Sequence, residues 1–338
     1  VDRKGILATG NWIVDQVKVI DAYPAQDKLA NILSVSTSNG GSPYNILKNL
    51  SRMGAGFPLE GAGLLGEDGF GTYIIEECLR LGIDTRQLHK RPGLPTSITD
   101  VMTVLETGRR TFFHARGANS VLQASDIDLA ASNAKIFHLG YLLLLTALDE
   151  LDENGKSGAA VLLEKASRAG FKTSVDVVSE SSDRFAKIVR PSLPFTDYLF
   201  VNEYEAGQIT GLVLEAEGKI QMDRCKEAIR RLLEGGVREW VFLHFPQGAL
   251  AGNTTGEWVY QPALSVPSDF IKGAAGAGDA FASGVLFGIH EGWHMQKSLS
   301  LGVCSAAASL SHSGCSDGLG TLEEVLALAT RFGFQPSL

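Results

Sequence analysis

The segment KGAAGAGDAFASGV, residues 272–285, sets one carboxylate behind a run of glycines and alanines. With no side chain longer than a methyl group, the run leaves the backbone amides of Gly276, Ala277 and Gly278 unobstructed at the start of a helix expected over 279–291. N–H groups at the positive end of a helix dipole favour an anion. Asp279 then has two readings. It caps the helix, or it sits beside an anion hole and takes a proton from a hydroxyl that attacks a phosphoryl group, a general-base role worth about 10²–10⁴-fold. A cap needs only an acceptor oxygen and has no need of three bare residues before it.

Two further stretches carry polar groups at helix starts. In GGSPYN (40–45), Ser42 suits a helix cap and Pro43 the first turn. The functional alternative is that Gly40 and Gly41 admit a ligand while Asn45, both donor and acceptor, binds a hydroxyl. In NEYE (202–205), the carboxylates of Glu203 and Glu205 suit the first turn of a helix. Asn202 and Glu205 could equally organise a hydrated Mg²⁺, which keeps several of its waters. GAGLLG (61–66) fits a dinucleotide-binding fingerprint, but Gly66 leads into another turn, EDGFG, before any helix begins. Those glycines read better as a strand that admits a neighbour's side chains. No GK[ST] of a Walker A loop occurs.

These turns need strands and helices to hold them. Strand-length apolar runs at 5–10, 59–65, 135–139, 171–177, 197–201 and 238–243 alternate with helical periodicity at 43–53, 70–81, 156–169, 221–235, 279–291 and 297–311. That alternation predicts an α/β chain with a mostly parallel sheet. Two regions break it, 12–21 with 32–38 and 97–106 with 109–115, which read as β-hairpins. We expect a small β lid built from two excursions, about 12–38 and 96–116, at the edge of a single 1–338 domain.

Composition narrows the class. Hydrophobic residues make up 44%, charged residues 20%, and the net charge is -8. The basic pairs Arg109–Arg110 and Arg230–Arg231 never grow into a patch, so nucleic acid is not expected as a partner. Cys78, Cys225, Cys304 and Cys315 show no CxxC spacing and read as reduced, cytoplasmic thiols. The longest apolar stretch, 136–148, contains His138 and falls short of the roughly 20 residues that cross a bilayer. Neither a membrane span nor a signal peptide is expected.

Taken in order, GNWIVD (10–15), SNGGSPYNILKNLSRMG (38–54), GLLGEDGFG (63–71), GAN (117–119), VNEYEAGQITG (201–211) and GAGDAFASG (276–284) resemble the ribokinase-like (PfkB) family of sugar and nucleoside kinases. The resemblance implies a three-layer α/β/α Rossmann-like body with a β lid that often pairs to make a homodimer. It implies Asp279 as general base and Gly276, Ala277 and Gly278 as anion hole. Asp15, Gly40, Gly41, Asn45 and Asn119 match positions around the acceptor, and Asn202 and Glu205 the motif that tunes Mg²⁺ through water. ATP would lie along the loops after 238–243, at His244 and Gly248, and beside the helix ending near Ser311. The implied activity is phosphorylation of a primary hydroxyl on a sugar or related polyol, with a nucleoside kinase or a catalytically weak binding protein as alternatives.

The chain departs from that family in two places. Gly273, Ala274 and Ala275 stand where many members have Asp-Thr-Thr, which removes the polar groups that help hold a monovalent cation, so K⁺ activation is not expected. HFPQG (244–248) is one residue shorter than the usual nucleotide loop, and Pro246 stiffens it. A phosphorylated acceptor would call for a basic residue near the lid, for which Lys28 and Arg116 are candidates.

Overall fold

In the computed structural model, which describes residues 3–312 and 317–338, a nine-stranded sheet forms the spine of the molecule. In spatial order its strands are Trp258–Pro262, Gly248–Asn253, Trp240–Phe245, Tyr198–Asn202, Lys172–Val177, Ile136–Leu142, Ile6–Gly10, Leu59–Gly66 and Asp84–Arg91. All neighbours from Trp240–Phe245 to Asp84–Arg91 run parallel, and a hairpin adds the first two strands antiparallel. Parallel strands need crossover helices on both faces, so their residues are apolar in both directions. Tyr198–Asn202 shows this directly. Tyr198 and Phe200 enter one core with Phe242 and Phe281, while Leu199 and Val201 enter the opposite one with Leu163 and Ile229.

The helices expected from periodicity form at Ser42–Arg52, Gly69–Arg80, Gly158–Arg168, Met222–Glu234, Ala277–His290 and Met295–Ser309. Strand Asp84–Arg91 escaped the periodicity because it lies at the sheet edge with only Leu88 buried. Helix Leu322–Phe332 also escaped, although Thr321 and Glu324 form a capping box at its start.

A second sheet of four strands has the order Ile32–Gly40, Ile13–Ile20, Ser97–Val104, Arg110–Ala115. Both expected hairpins are present as antiparallel pairs, joined by a parallel pairing of Ile13–Ile20 with Ser97–Val104. Trp12 fixes the root of this sheet. Its indole Nε1 donates to Ala62 O at 2.9 Å, and a Cβ on Gly61 or Gly63 would fall 2.8 or 2.6 Å from its ring. Gly61 and Gly63 of GAGLLG therefore form a socket for Trp12 inside a strand. Cys78, Cys225 and Cys304 are buried free thiols, and Cys315 lies outside the described residues.

Candidate active site

Helices Ser42–Arg52 and Ala277–His290 pack side by side with two matched polar contacts one turn apart. Asn45 Nδ2 donates to Asp279 Oδ2 at 2.7 Å, and Asn49 Nδ2 donates to Ser283 Oγ at 3.3 Å. The i,i+4 spacing on each helix makes the pairs coincide. Close approach of a third helix holds the arrangement: a Cβ on Gly284 would meet Leu301 O of Met295–Ser309 at 2.7 Å.

Asp279 is 3% exposed, and its carboxylate is not spent on capping. Gly276 is the N-cap residue, with the positive φ of 79° that glycine adopts without strain. Oδ2 of Asp279 accepts from Asn45 and from the Tyr141 hydroxyl, each at 2.7 Å, while Oδ1 is a buried acceptor with no donor among the described residues. Burial raises the Asp279 pKa, and donation from Tyr141 and Asn45 opposes the rise. Of the three amides expected to form an anion hole, Ala277 N–H turns back to Ala274 O at 3.3 Å. Those of Gly276 and Gly278 have no acceptor among the described residues.

Ser42 corrects an expectation. It does not cap its helix, whose N-cap is Gly41, and no side chain caps that end. The Ser42 hydroxyl instead meets His138 Nε2 at 2.9 Å and Asp176 Oδ2 at 3.3 Å, and His138 Nδ1 meets Ser174 Oγ at 2.9 Å. Burial lowers His138 to about 3, so this bridge is neutral. Asp176 is pushed well above the carboxylate range by burial and by the charges of Asp279 and Glu205. Sequence reasoning missed Tyr141, Asp176 and His138. Asp176 left a signal, a carboxylate in the otherwise apolar end of a central strand.

At the second sheet, Asp15 is buried with Ser38 and Thr99 on either side in register. Gly40 and Gly41 have a local reason to be glycine. A Cβ on Gly40 would fall 2.2 Å from Asp15 Oδ2, and Gly41 has φ 88° against Asn11 O. Asn119 Nδ2 donates to Trp12 O at 3.0 Å and ties the turn Gly117–Val121 to the root of the sheet.

Asn202 and Glu205 close a reciprocal capping box. Asn202 Oδ1 accepts from Glu205 N at 2.8 Å, and Glu205 Oε2 accepts from Asn202 N at 2.9 Å. Ser179 Oγ takes the other Glu205 oxygen at 2.7 Å, and burial pushes Glu205 up to about 7. With both oxygens engaged, Glu205 suits a cation held through water better than direct ligation. Among the described residues no cluster of three or more His, Cys, Asp or Glu side chains is placed to hold a metal ion directly, so a divalent cation at these strand ends would be held through its waters.

His244 stands beside Asn202 in register, and a Cβ on Gly278 would lie 3.3 Å from its ring. Burial lowers its pKa to about 4, which leaves the ring neutral. Gly248 does not join this group. Phe245–Gly248 is a tight hairpin turn, and Gly248 abuts Gln261 and Pro262.

Known proteins share this fold. A 5-dehydro-2-deoxygluconokinase of Clostridium perfringens is 27% identical over 312 residues, covering 85% of this chain and 82% of that one. Ribokinase from Thermotoga maritima superposes with TM-score 0.78 at 21% identity, over 96% of this chain and 99% of that one. Ribokinase from Arabidopsis thaliana, solved with ribose and ATP, gives 0.79 at 20% identity over 96% and 98%. Residues 8–322 match the pfkB family carbohydrate kinase. With a match over nearly its whole length, the chain belongs to the pfkB family and is a carbohydrate kinase that carries phosphate from ATP to a sugar hydroxyl.

Proposed function

We propose that Asp279 is the general base that deprotonates a primary hydroxyl of the acceptor sugar or polyol. The observation that carries this reading is the buried carboxylate itself. Two donors fix Oδ2, and Oδ1 is left without one beside the open amides of Gly276 and Gly278. Asp15 and Asn45 orient acceptor hydroxyls, with Gly40 and Gly41 letting Asp15 and helix Ser42–Arg52 approach. Asn119 supports this binding surface from the root of the sheet. The helix amides receive the transferring phosphoryl group, which gains mainly from positioning and fixed dipoles.

ATP lies on the His244 side of that helix, near the hairpin turn that Gly248 closes. Asn202 and Glu205 hold Mg²⁺ through water. When bound with the nucleotide, Mg²⁺ offsets phosphate charge during transfer. K⁺ is not required, because the Gly273–Ala275 stretch carries no polar side chain and the Arg110 guanidinium already lies against Gly273.

The four-stranded sheet acts as a lid and pairs two copies into a homodimer. Ile32, Leu33, Val35, Phe112 and Phe113 are each more than half exposed on its strands, apolar side chains that a second copy would cover. No described helix is long and apolar enough to cross a membrane, and the buried free thiols support a cytoplasmic location.

The test is ADP release with Mg-ATP over sugars, polyols and nucleosides, with 5-dehydro-2-deoxygluconate included because relatives carry that activity in their names. Asp279→Ala should keep its fold and lose at least about 10²-fold in turnover. Near-normal turnover in that variant refutes the assignment.

A further inference from the structure

Asn11 sits where the large sheet, the small sheet and the Asp279 carboxylate come together. It follows strand Ile6–Gly10, whose last residue stands in register with Gly140, and it precedes Trp12, the anchor at the root of the second sheet. The residue is fully buried. Its backbone N–H donates to Gly140 O at 2.8 Å, and its side-chain Oδ1 accepts from Tyr141 N at 2.6 Å. Nδ2 donates over a longer distance, to Leu144 O at 3.4 Å. The amide that Asn11 holds therefore belongs to the residue whose hydroxyl donates to Asp279 Oδ2 at 2.7 Å.

The Asn11 carbonyl serves the other donor. A Cβ on Gly41 would fall 1.8 Å from Asn11 O, and Gly41 O accepts from Asn45 N at 3.0 Å in the first turn of helix Ser42–Arg52. Asn45 in turn donates to the same Asp279 oxygen. Tyr141 is thus referenced to Asn11 by the side chain, and Asn45 by the backbone. A substitution at Asn11 separates the two links, because it keeps the carbonyl and removes only the hold on Tyr141. The phenol hydroxyl stands at the far end of a stiff ring, so a small tilt of the Tyr141 backbone is enlarged there, and hydrogen bonds weaken steeply with misalignment.

We propose that Asn11 is a positioning residue for the general base, holding the Tyr141 hydroxyl on Asp279 through the Tyr141 amide. This rests on the assignment of Asp279 above and adds a residue that acts on it from a distance. Among the described residues, the titratable groups that act on Asp279 are Tyr141 from strand Ile136–Leu142, Asp176 from strand Lys172–Val177 and Glu205 from helix Glu203–Thr210. Helix Ser42–Arg52 contributes the neutral Ser42 and Asn45. Substituting Asn11 changes the charge of none of them.

The test reads the Asp279 carboxyl itself. In protein whose aspartates carry ¹³C at the carboxyl, with the Asp279 resonance assigned by its loss in Asp279→Asn, the group is titrated in the wild type, Asn11→Ala, Tyr141→Phe and the double variant. Asn11→Ala should raise the Asp279 midpoint by about one pH unit, no further than Tyr141→Phe does, and should add nothing in the Tyr141→Phe background. Asn11→Ser, whose oxygen falls one atom short, should lie between, and it carries the comparison if the alanine variant does not fold. An asparagine that only satisfied a buried amide would lower stability without reaching Asp279 through Tyr141. An unmoved midpoint, or a double variant that shifts by the sum of the single ones, therefore overturns the proposal. Turnover of Mg-ATP with 5-dehydro-2-deoxygluconate is read separately. A moved, non-additive midpoint supports the role of Asn11 even if Asp279→Ala keeps near-normal turnover, a result that would overturn the base assignment alone.

Discussion

Tyr141→Phe isolates how the base is tuned. The substitution removes one hydroxyl and keeps the ring, so Asp279 Oδ2 loses one of its two 2.7 Å donors and retains Asn45. A hydrogen bond to a charged group contributes about 1.5–3 kcal/mol. It stabilises the carboxylate over the acid, and each pKa unit corresponds to about 1.4 kcal/mol, so its loss should raise the Asp279 pKa by about 1–2 units. The base works only when ionised, so kcat/KM falls as pH drops through that pKa. The acidic limb of the pH profile should therefore move upward by about 1–2 units, with activity recovered at high pH. The assay is initial rates across pH with saturating Mg-ATP. A variant that loses activity equally at every pH, with an unmoved acidic limb, would refute the claim that Tyr141 acts through the ionisation of Asp279.

Three other outcomes are expected. Gly63→Ala should cost about 1–3 kcal/mol in urea unfolding, because its Cβ would fall 2.6 Å from Trp12; an unchanged midpoint would remove the socket. His138 is neutral when folded, with its pKa lowered to about 3 by burial, and titrates near 6.5 when unfolded. Its contribution is therefore complete above about pH 6.5 and is lost as pH falls towards 3. The wild-type Tm should fall more steeply between pH 6.5 and 4 than that of His138→Gln, and parallel curves would contradict this. Phe112→Ser with Phe113→Ser should shift sedimentation from dimer to monomer, whereas an unchanged species would place the interface elsewhere.

The sequence carried the fold far because hydrophobic period reports burial. Strands covered by helices on both faces, such as Tyr198–Asn202, announce themselves, and the polar edge strand Asp84–Arg91 does not. Part of the site was legible for a related reason, since glycine runs at helix starts mark places where the backbone must be approached. What approaches was not legible. Gly40 admits Asp15 and Gly63 admits Trp12, neighbours that only the folded chain supplies. Ser42 misled because capping is a local rule, while its actual partners, His138 and Asp176, lie 96 and 134 residues away. Tyr141 carried no signal because its hydroxyl works at the far side of a helix packing contact that periodicity cannot register.

The Trp12 socket has a mechanical consequence. The indole is clamped against Gly61 and Gly63, its carbonyl is held by Asn119, and Thr96 N and Oγ1 donate to Asp68, so both excursions of the second sheet are bolted to the body at their roots. Such a sheet moves like a leaf spring fixed at one end. Displacement grows along the strands, so Asp15, three residues from the clamp, stays almost still while the tip around Lys28 and Leu29 sweeps furthest. The contacts that choose the acceptor thus belong to the stiff end, and access is set by the compliant one.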